Sequence, residues 1–275
     1  MIERIVPATV VTDAVYGDQV WDAESVLFPA EAAGVATATE ARRREFATVR
    51  MCARRALGGL GLPPVPLVRG RRGVPGWPAG VVGSLTHCPG YRAAAVATAQ
   101  DVASLGIDAE PNMPLPEGVL AAIATAAELR RVLGLGTRSP EVCWDRLLFS
   151  IKESVFKTWY PLTGRELEFQ QAEITLDPAA GTFRARLLVP APELDALAGG
   201  LHDGALPGCW LVRYGLILTS VVLPGASARP GQPLRGGAGT GCSDRASAAP
   251  GGGTSPLGSE PAKVAVLAHD TAGLV

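Results

Sequence analysis

The spacing of apolar and polar positions sorts the chain into helical and extended stretches. Over Ala36–Leu60, the residues Phe46, Val49, Ala53, Ala56 and Leu57 recur at helical spacing and Gly58-Gly59 closes the run, which predicts one helix. Its other face holds Arg42, Arg43, Arg44, Arg50, Arg54 and Arg55, read either as solvated charge or as a surface for a multiply charged phosphate ligand. A Pro/Gly/Arg loop follows at 63–80. Residues 81–87 and 91–99 read as two strands around the Cys88-Pro89-Gly90 turn, and 104–110 as a further strand ending at Pro111. A helix is expected over 117–133. A strongly amphipathic helix is expected over Trp144–Trp159, ending at Pro161. Residues 172–176, 182–189 and 208–223 complete an antiparallel set of strands. Helices and strands mix without regular βαβ alternation, so the fold class is α+β.

Composition changes once along the chain. From Pro224 to Pro261 the residues are mostly Gly, Pro, Ser and Ala with almost no large apolar side chain, the last stretch, 263–275, is slightly more apolar and suited to weak docking, and 225–275 is expected to be a disordered tail. The folded body is thus about 1–224. Hydrophobic residues make up 47% of the 275 and charged residues 19%, which supports a sizeable core. The formal net charge of −1 supplies no global field to draw in nucleic acid or an anionic membrane. The longest apolar run, at 215–225, is too short to span a bilayer, and the N-terminus lacks the basic-then-apolar pattern of a signal peptide. Cys52, Cys88, Cys143, Cys209 and Cys242 are odd in number, scattered and never in a C-x-x-C pair, which argues against a disulfide framework or a zinc site. A soluble cytoplasmic protein is expected, with neither nucleic acid nor membrane as partner.

Candidate chemistry comes from three places. Asp108 and Glu110 lie at i and i+2 of a strand and share one face; two such carboxylates repel unless one is protonated or a cation neutralises both. Oxygen-only ligands suit a hard cation, Mg²⁺ above all. Alternatively the two acids sit on the wet face of a strand end. The second place is the helix, where Glu153 and Lys157 are i,i+4 neighbours, which is also the spacing of an ordinary surface pair. Only Lys152, Lys157 and Lys263 are lysines; the other 22 basic residues are arginine. A lysine kept against that bias suggests a site needing a compact, rotatable ammonium. Third, Thr86 and His87 end a strand near Arg69 and Arg72. His87 is one of three histidines with His202 and His269, and reads either as a satisfied turn histidine or as a phosphate contact.

Taken together, residues 77–96 (W-P-A-G-V-V-G-S-L-T-H-C-P-G-Y-R-A-A-A-V), 104–111 (S-L-G-I-D-A-E-P) and 144–165 (W-D-R-L-L-F-S-I-K-E-S-V-F-K-T-W-Y-P-L-T-G-R) closely resemble the 4′-phosphopantetheinyl transferases. The likeness covers about 36–224 and is greatest to the enterobactin-synthetase-component-D-like branch of actinobacteria. That resemblance implies two similar α+β halves, 1–103 and 104–224, with the active site in the cleft between them. It implies transfer of phosphopantetheine from coenzyme A to a serine of an acyl or peptidyl carrier protein, releasing adenosine 3′,5′-bisphosphate. Asp108, Glu110 and Glu153 would hold Mg²⁺, with Mn²⁺ able to replace it. Glu153 would take the serine proton, and Lys157 would act on the departing phosphate. Lys152 would lie near the phosphates, Thr86 and His87 would meet the 3′-phosphate, and Arg42, Arg50, Arg69 and Arg72 would help hold the nucleotide. A monomer completes such a cleft. Glu166-Leu167-Glu168 departs from the branch near where a carrier would dock, which leaves partner preference open. Two other readings stand beside this one: another Mg²⁺-dependent nucleotide phosphohydrolase or transferase, or a non-catalytic module binding coenzyme A or a carrier.

Overall fold

A computed structural model of the chain describes residues 1–19, 22–197 and 204–227. The expected tail therefore lies outside the described residues beyond position 227, as do His202, Cys242, Lys263 and His269. The four cysteines within them are free thiols.

The molecule is built twice from one plan. The first half opens with β1 (Val11–Tyr16), runs through the short α1 (Pro29–Ala33) and the long α2 (Glu40–Gly59), and ends in the hairpin of β2 (Val81–Cys88) and β3 (Tyr91–Thr98). β3 returns beside β1, giving the order β1-β3-β2. The second half opens with β4 (Val102–Pro111), then α3 (Val119–Ile123), α4 (Ala126–Arg138) and the long α5 (Trp144–Thr163). Strands β5 (Ala172–Asp177), β6 (Thr182–Leu187), β7 (Ala205–Arg213) and β8 (Leu216–Pro224) form a meander whose last strand returns beside β4, in the order β4-β8-β7-β6-β5. Both sheets are antiparallel throughout. The architecture is α+β, as expected.

The layers follow from strand alternation. On β3, Ala94 and Val96 face α2, packing with Val49, Ala53 and Leu57. Ala93, Ala95 and Ala97 face the other way, onto Leu105, Ile107 and Ala109 of β4 and Leu218 of β8. The outer face of the second sheet carries α5, through Leu147, Ile151 and Val155 against Ile217, Val221 and Phe183. At the seam, the edge of β4 meets β2 through side chains: Ser84 Oγ accepts from the Ile107 amide at 3.1 Å and Thr86 Oγ1 from the Ala109 amide at 2.9 Å. Two hydroxyls thus satisfy edge amides that a further strand would otherwise pair.

Several boundaries differ from the sequence reading. The expected helix over 117–133 is two helices, because Thr125 caps a new one: its Oγ1 accepts from the Glu128 amide while Glu128 reaches back to the Thr125 amide. The expected stop at Pro161 is not taken. Proline costs the last turn a single amide, and α5 runs on to Gly164, whose φ of 63° ends it. Thr39 caps α2, so residues 36–38 lie outside the helix. β1, which the apolar pattern did not single out, supplies one edge of the first sheet.

Candidate active site

Alternation along β4 places the acids. Leu105, Ile107 and Ala109 are spent on the first half, which turns Gly106, Asp108 and Glu110 toward α5. Gly106 lets strand and helix approach closely: a Cβ there would sit 2.1 Å from the Ser154 carbonyl oxygen and 2.6 Å from Thr158 Oγ1. One residue pair along, Asp108 Oδ1 accepts from Lys157 Nζ at 2.8 Å and from Thr86 Oγ1 at 3.4 Å. Its Oδ2 accepts from Ser150 Oγ at 2.7 Å, and Ser150 Oγ lies 3.0 Å from Thr219 Oγ1 on β8. Glu110 Oε2 pairs with Arg146 Nη1 at 3.0 Å. Glu153, one turn before Lys157 on α5, is 5% exposed and makes no hydrogen bond or ion pair among the described residues.

Three buried carboxylates thus face two cations. Burial pushes the Glu153 carboxyl up to about 8; Lys157 opposes this, while Asp108 and Glu110 add to it. Burial also raises Glu110, reinforced by Asp108 and opposed by Arg146 and Lys157. Among the described residues no three His, Cys, Asp or Glu side chains are closed around one point, since Asp108 and Glu110 turn to Lys157, Ser150 and Arg146. The chemistry of the donor set still fits a hard divalent cation. It is oxygen-only and acidic, and it includes Glu153, a buried carboxylate with no hydrogen-bond or ion-pair partner among the described residues.

Beyond Lys157 the charge changes sign. His87 feels Lys157 and Arg42, Arg69 feels Arg42, and Arg50 feels Arg69, so these groups form a row of mutually repelling donors. Burial lowers Arg50 to about 9, with Glu31 opposing and the neighbouring Arg69 and Arg54 adding to the shift. Arg50 and Arg69 both stack on the Phe46 ring, with guanidinium carbons 4.2 Å and 5.1 Å from its centroid. Arg50 Nη1 and Arg69 Nε and Nη2 are buried without a hydrogen-bond partner. Unpaired, buried and cationic N–H groups are what a bound anion would satisfy.

The chain matches the family model for the 4′-phosphopantetheinyl transferase N-terminal domain over residues 30–97, and that for the 4′-phosphopantetheinyl transferase superfamily over 104–210. It is 57% identical over 223 residues to the 4′-phosphopantetheinyl transferase Svp of Streptomyces mobaraensis, covering 81% of this chain and 89% of that one. The chain belongs to the 4′-phosphopantetheinyl transferase superfamily. Two further transferases agree: Npt of Nocardia iowensis, 45% identical over 228 residues (80% of this chain, 99% of that one), and PptT of Mycobacterium tuberculosis, 43% identical over 228 residues (81% and 98%).

Within this transferase the structure sorts the residues expected from sequence. Asp108, Glu110, Glu153 and Lys157 come together at the β4–α5 interface, and Arg42, Arg50, Arg69 and His87 line up beside it. Lys152 does not join either group. It points about 100° round the helix from Glu153. Its ammonium donates to Glu128 at 3.0 Å and to the carbonyls of Ile123, Phe169 and Ala172 at 3.0, 2.7 and 2.9 Å, leaving no hydrogen for a phosphate. Thr86 is likewise committed, to the Ala109 amide and Asp108, because consecutive strand residues face opposite ways and only His87 turns to the arginines. Arg72 is half-exposed and pairs with Glu166 at 2.5 Å, away from the buried row. Arg50 is 1% exposed, so the reading of its helix face as solvated charge fails there. Sequence reasoning missed Arg146, Ser150 and Glu45. Ser150 lay within the quoted motif, and Glu45 stood in an arginine run where an acid is the exception.

Proposed function

We propose that this enzyme moves 4′-phosphopantetheine from coenzyme A to a serine hydroxyl of an apo acyl or peptidyl carrier protein, releasing adenosine 3′,5′-bisphosphate, with Mg²⁺ held by Asp108, Glu110 and Glu153. The observation that carries this reading is the buried, unpaired Glu153 set among two further carboxylates and Lys157, next to a row of cations with unsatisfied N–H groups.

In the reaction a bond forms between the serine oxygen and the phosphorus bearing pantetheine, and the bond from that phosphorus to the bridging oxygen of the pyrophosphate breaks. The serine proton passes to Glu153, a buried carboxylate of α5 that no neighbouring side chain among the described residues engages. Lys157 places its ammonium beside the oxygen on which negative charge grows. Bound Mg²⁺ supplies charge neutralisation to the pyrophosphate. Ser150 and Thr219 hold Asp108 in place, and Arg146 holds Glu110. Arg42, Arg50, Arg69 and His87 grip the nucleotide end, so that binding energy remote from the reacting phosphorus fixes its position. The carriers served belong to fatty acid, polyketide, nonribosomal peptide or siderophore synthesis, and the protein works in the cytoplasm as a monomer. Among the described residues no helix is long and apolar enough to cross a membrane.

The test is intact mass spectrometry of an apo carrier incubated with the protein, coenzyme A and Mg²⁺. A gain of about 340 Da, the mass of a transferred phosphopantetheine, is expected, and chelation by EDTA should abolish it. Hydrolysis of coenzyme A without a labelled carrier, or binding without turnover, would overturn the reading.

A further inference from the structure

We infer that Glu45 is a positioning residue for the nucleotide end of the substrate: it holds the His87 ring so that the other ring nitrogen, beside Arg42, is presented to the 3′-phosphate of coenzyme A. This rests on the proposed function and adds to it the residue that makes the histidine competent.

An acid in a pocket for an anion needs a reason, because its charge opposes the ligand. Glu45 lies on α2 in the stretch Arg42-Arg43-Arg44-Glu45. Both of its oxygens are covered. Oε1 lies 2.8 Å from His87 Nδ1 and 3.1 Å from Arg92 Nη2, and Oε2 accepts from Arg42 Nη1 at 2.5 Å. Burial alone would raise this carboxyl, but the His87 hydrogen bond and charge, then Arg42 and Arg92, bring it down to about 2. Glu45 is therefore a fixed anion at any working pH.

A carboxylate only accepts, so His87 Nδ1 carries a hydrogen. That leaves Nε2, 3.5 Å from Arg42 Nη1, as the nitrogen facing the cations. The charged groups round the ring are Glu45 and Arg42 from α2, Arg92 from β3 (opposite His87 in register) and Lys157 from α5; Asp18 reaches it only through Arg92. Burial, Arg42 and Lys157 lower the affinity of His87 for a second proton, and Glu45 opposes all three. To donate to a phosphate oxygen, Nε2 must gain that proton. Glu45 thus does two things through one hydrogen bond: it selects the ring orientation and stabilises the imidazolium that meets the phosphate.

Substrate kinetics on coenzyme A and 3′-dephospho-coenzyme A, between roughly pH 4.5 and 8, test this in wild type, Glu45→Gln and Glu45→Asp. Glu45→Gln should raise KM for coenzyme A about tenfold near neutrality with kcat nearly unchanged. It should move the pH at which that KM climbs down by about one unit. KM for 3′-dephospho-coenzyme A should not change, and Glu45→Asp should recover part of the loss. Equal losses on the two substrates, or an unmoved pH profile, would overturn the inference. Histidine NMR titration of the full chain, without substrate, gives an independent readout, since only the His87 signal should titrate lower in Glu45→Gln. If Glu45→Gln fails to fold, the titration of Glu45→Asp decides, and an unshifted His87 counts against the inference. Failure of the wild type to label a carrier would refute the function instead, leaving the titration to judge Glu45.

Discussion

Replacing Gly106 with alanine tests the whole account of the site with one methyl group. The new Cβ would lie 2.1 Å from the Ser154 carbonyl oxygen, 2.6 Å from Thr158 Oγ1 and 2.9 Å from the Thr158 amide nitrogen. Carbon–oxygen contacts settle near about 3.3 Å or more, so α5 must retreat from β4 by about 1 Å. Two of the three obstructing atoms are backbone, so no rotamer change relieves the clash. Overpacking of this kind costs about 1–3 kcal/mol, and at roughly 2–4 °C per kcal/mol for a body of this size the midpoint should fall by about 2–12 °C. The effect on catalysis is larger, because the retreat separates the two elements that share the site. β4 carries Asp108 and Glu110, while α5 carries Ser150, Glu153 and Lys157. The contacts of 2.8 Å between Lys157 and Asp108 and 2.7 Å between Ser150 and Asp108 would open together. A displacement of about 1 Å is worth about a hundredfold in rate. Thermal unfolding and carrier labelling, measured on one preparation, report the two effects. A variant with wild-type midpoint and a rate within about twofold would refute the claim that this close approach sets the site.

Glu153→Gln should abolish carrier labelling and flatten the pH dependence of stability. The Glu153 carboxyl binds its proton more tightly folded (about 8) than at its ordinary value of 4.5, so wild-type stability should fall as pH rises from about 4.5 to 8, with a ceiling of about 4–5 kcal/mol; urea melts of metal-free protein that run parallel for the two forms would contradict this. Lys152→Met strands Glu128 in the interior and should destabilise by about 3–5 kcal/mol. Chemical denaturation checks it, and an unchanged midpoint would contradict the claim that this buried pair stabilises the second half. Thr86→Val removes the acceptor of the buried Ala109 amide at the seam and should cost about 1–3 kcal/mol; an unchanged urea midpoint would show that the hydroxyl is dispensable.

Local pattern alone was enough to locate the long helices, the β2–β3 hairpin and the strand bearing Asp108 and Glu110, because helical and extended periodicities are written in which positions are apolar. It also put two acids on one strand face and Glu153 one turn from Lys157, since both spacings are fixed by backbone geometry. Lys152 shows the limit of such reasoning. Its rarity in an arginine-rich chain was a true signal of a constrained ammonium, but the constraint is Glu128 and three carbonyls gathered from two stretches remote from it in sequence, 123–128 and 169–172. Glu45 shows the converse: an acid in an arginine run to which the sequence pattern assigned nothing, given a task only when His87 and Arg92 are folded against it. What surrounds a side chain comes from parts of the chain remote in sequence. Which residues could hold charge was therefore settled by the sequence itself; which of those charges are buried, paired or left waiting for a ligand was decided only by the tertiary packing of distant segments, within each half as well as between the two.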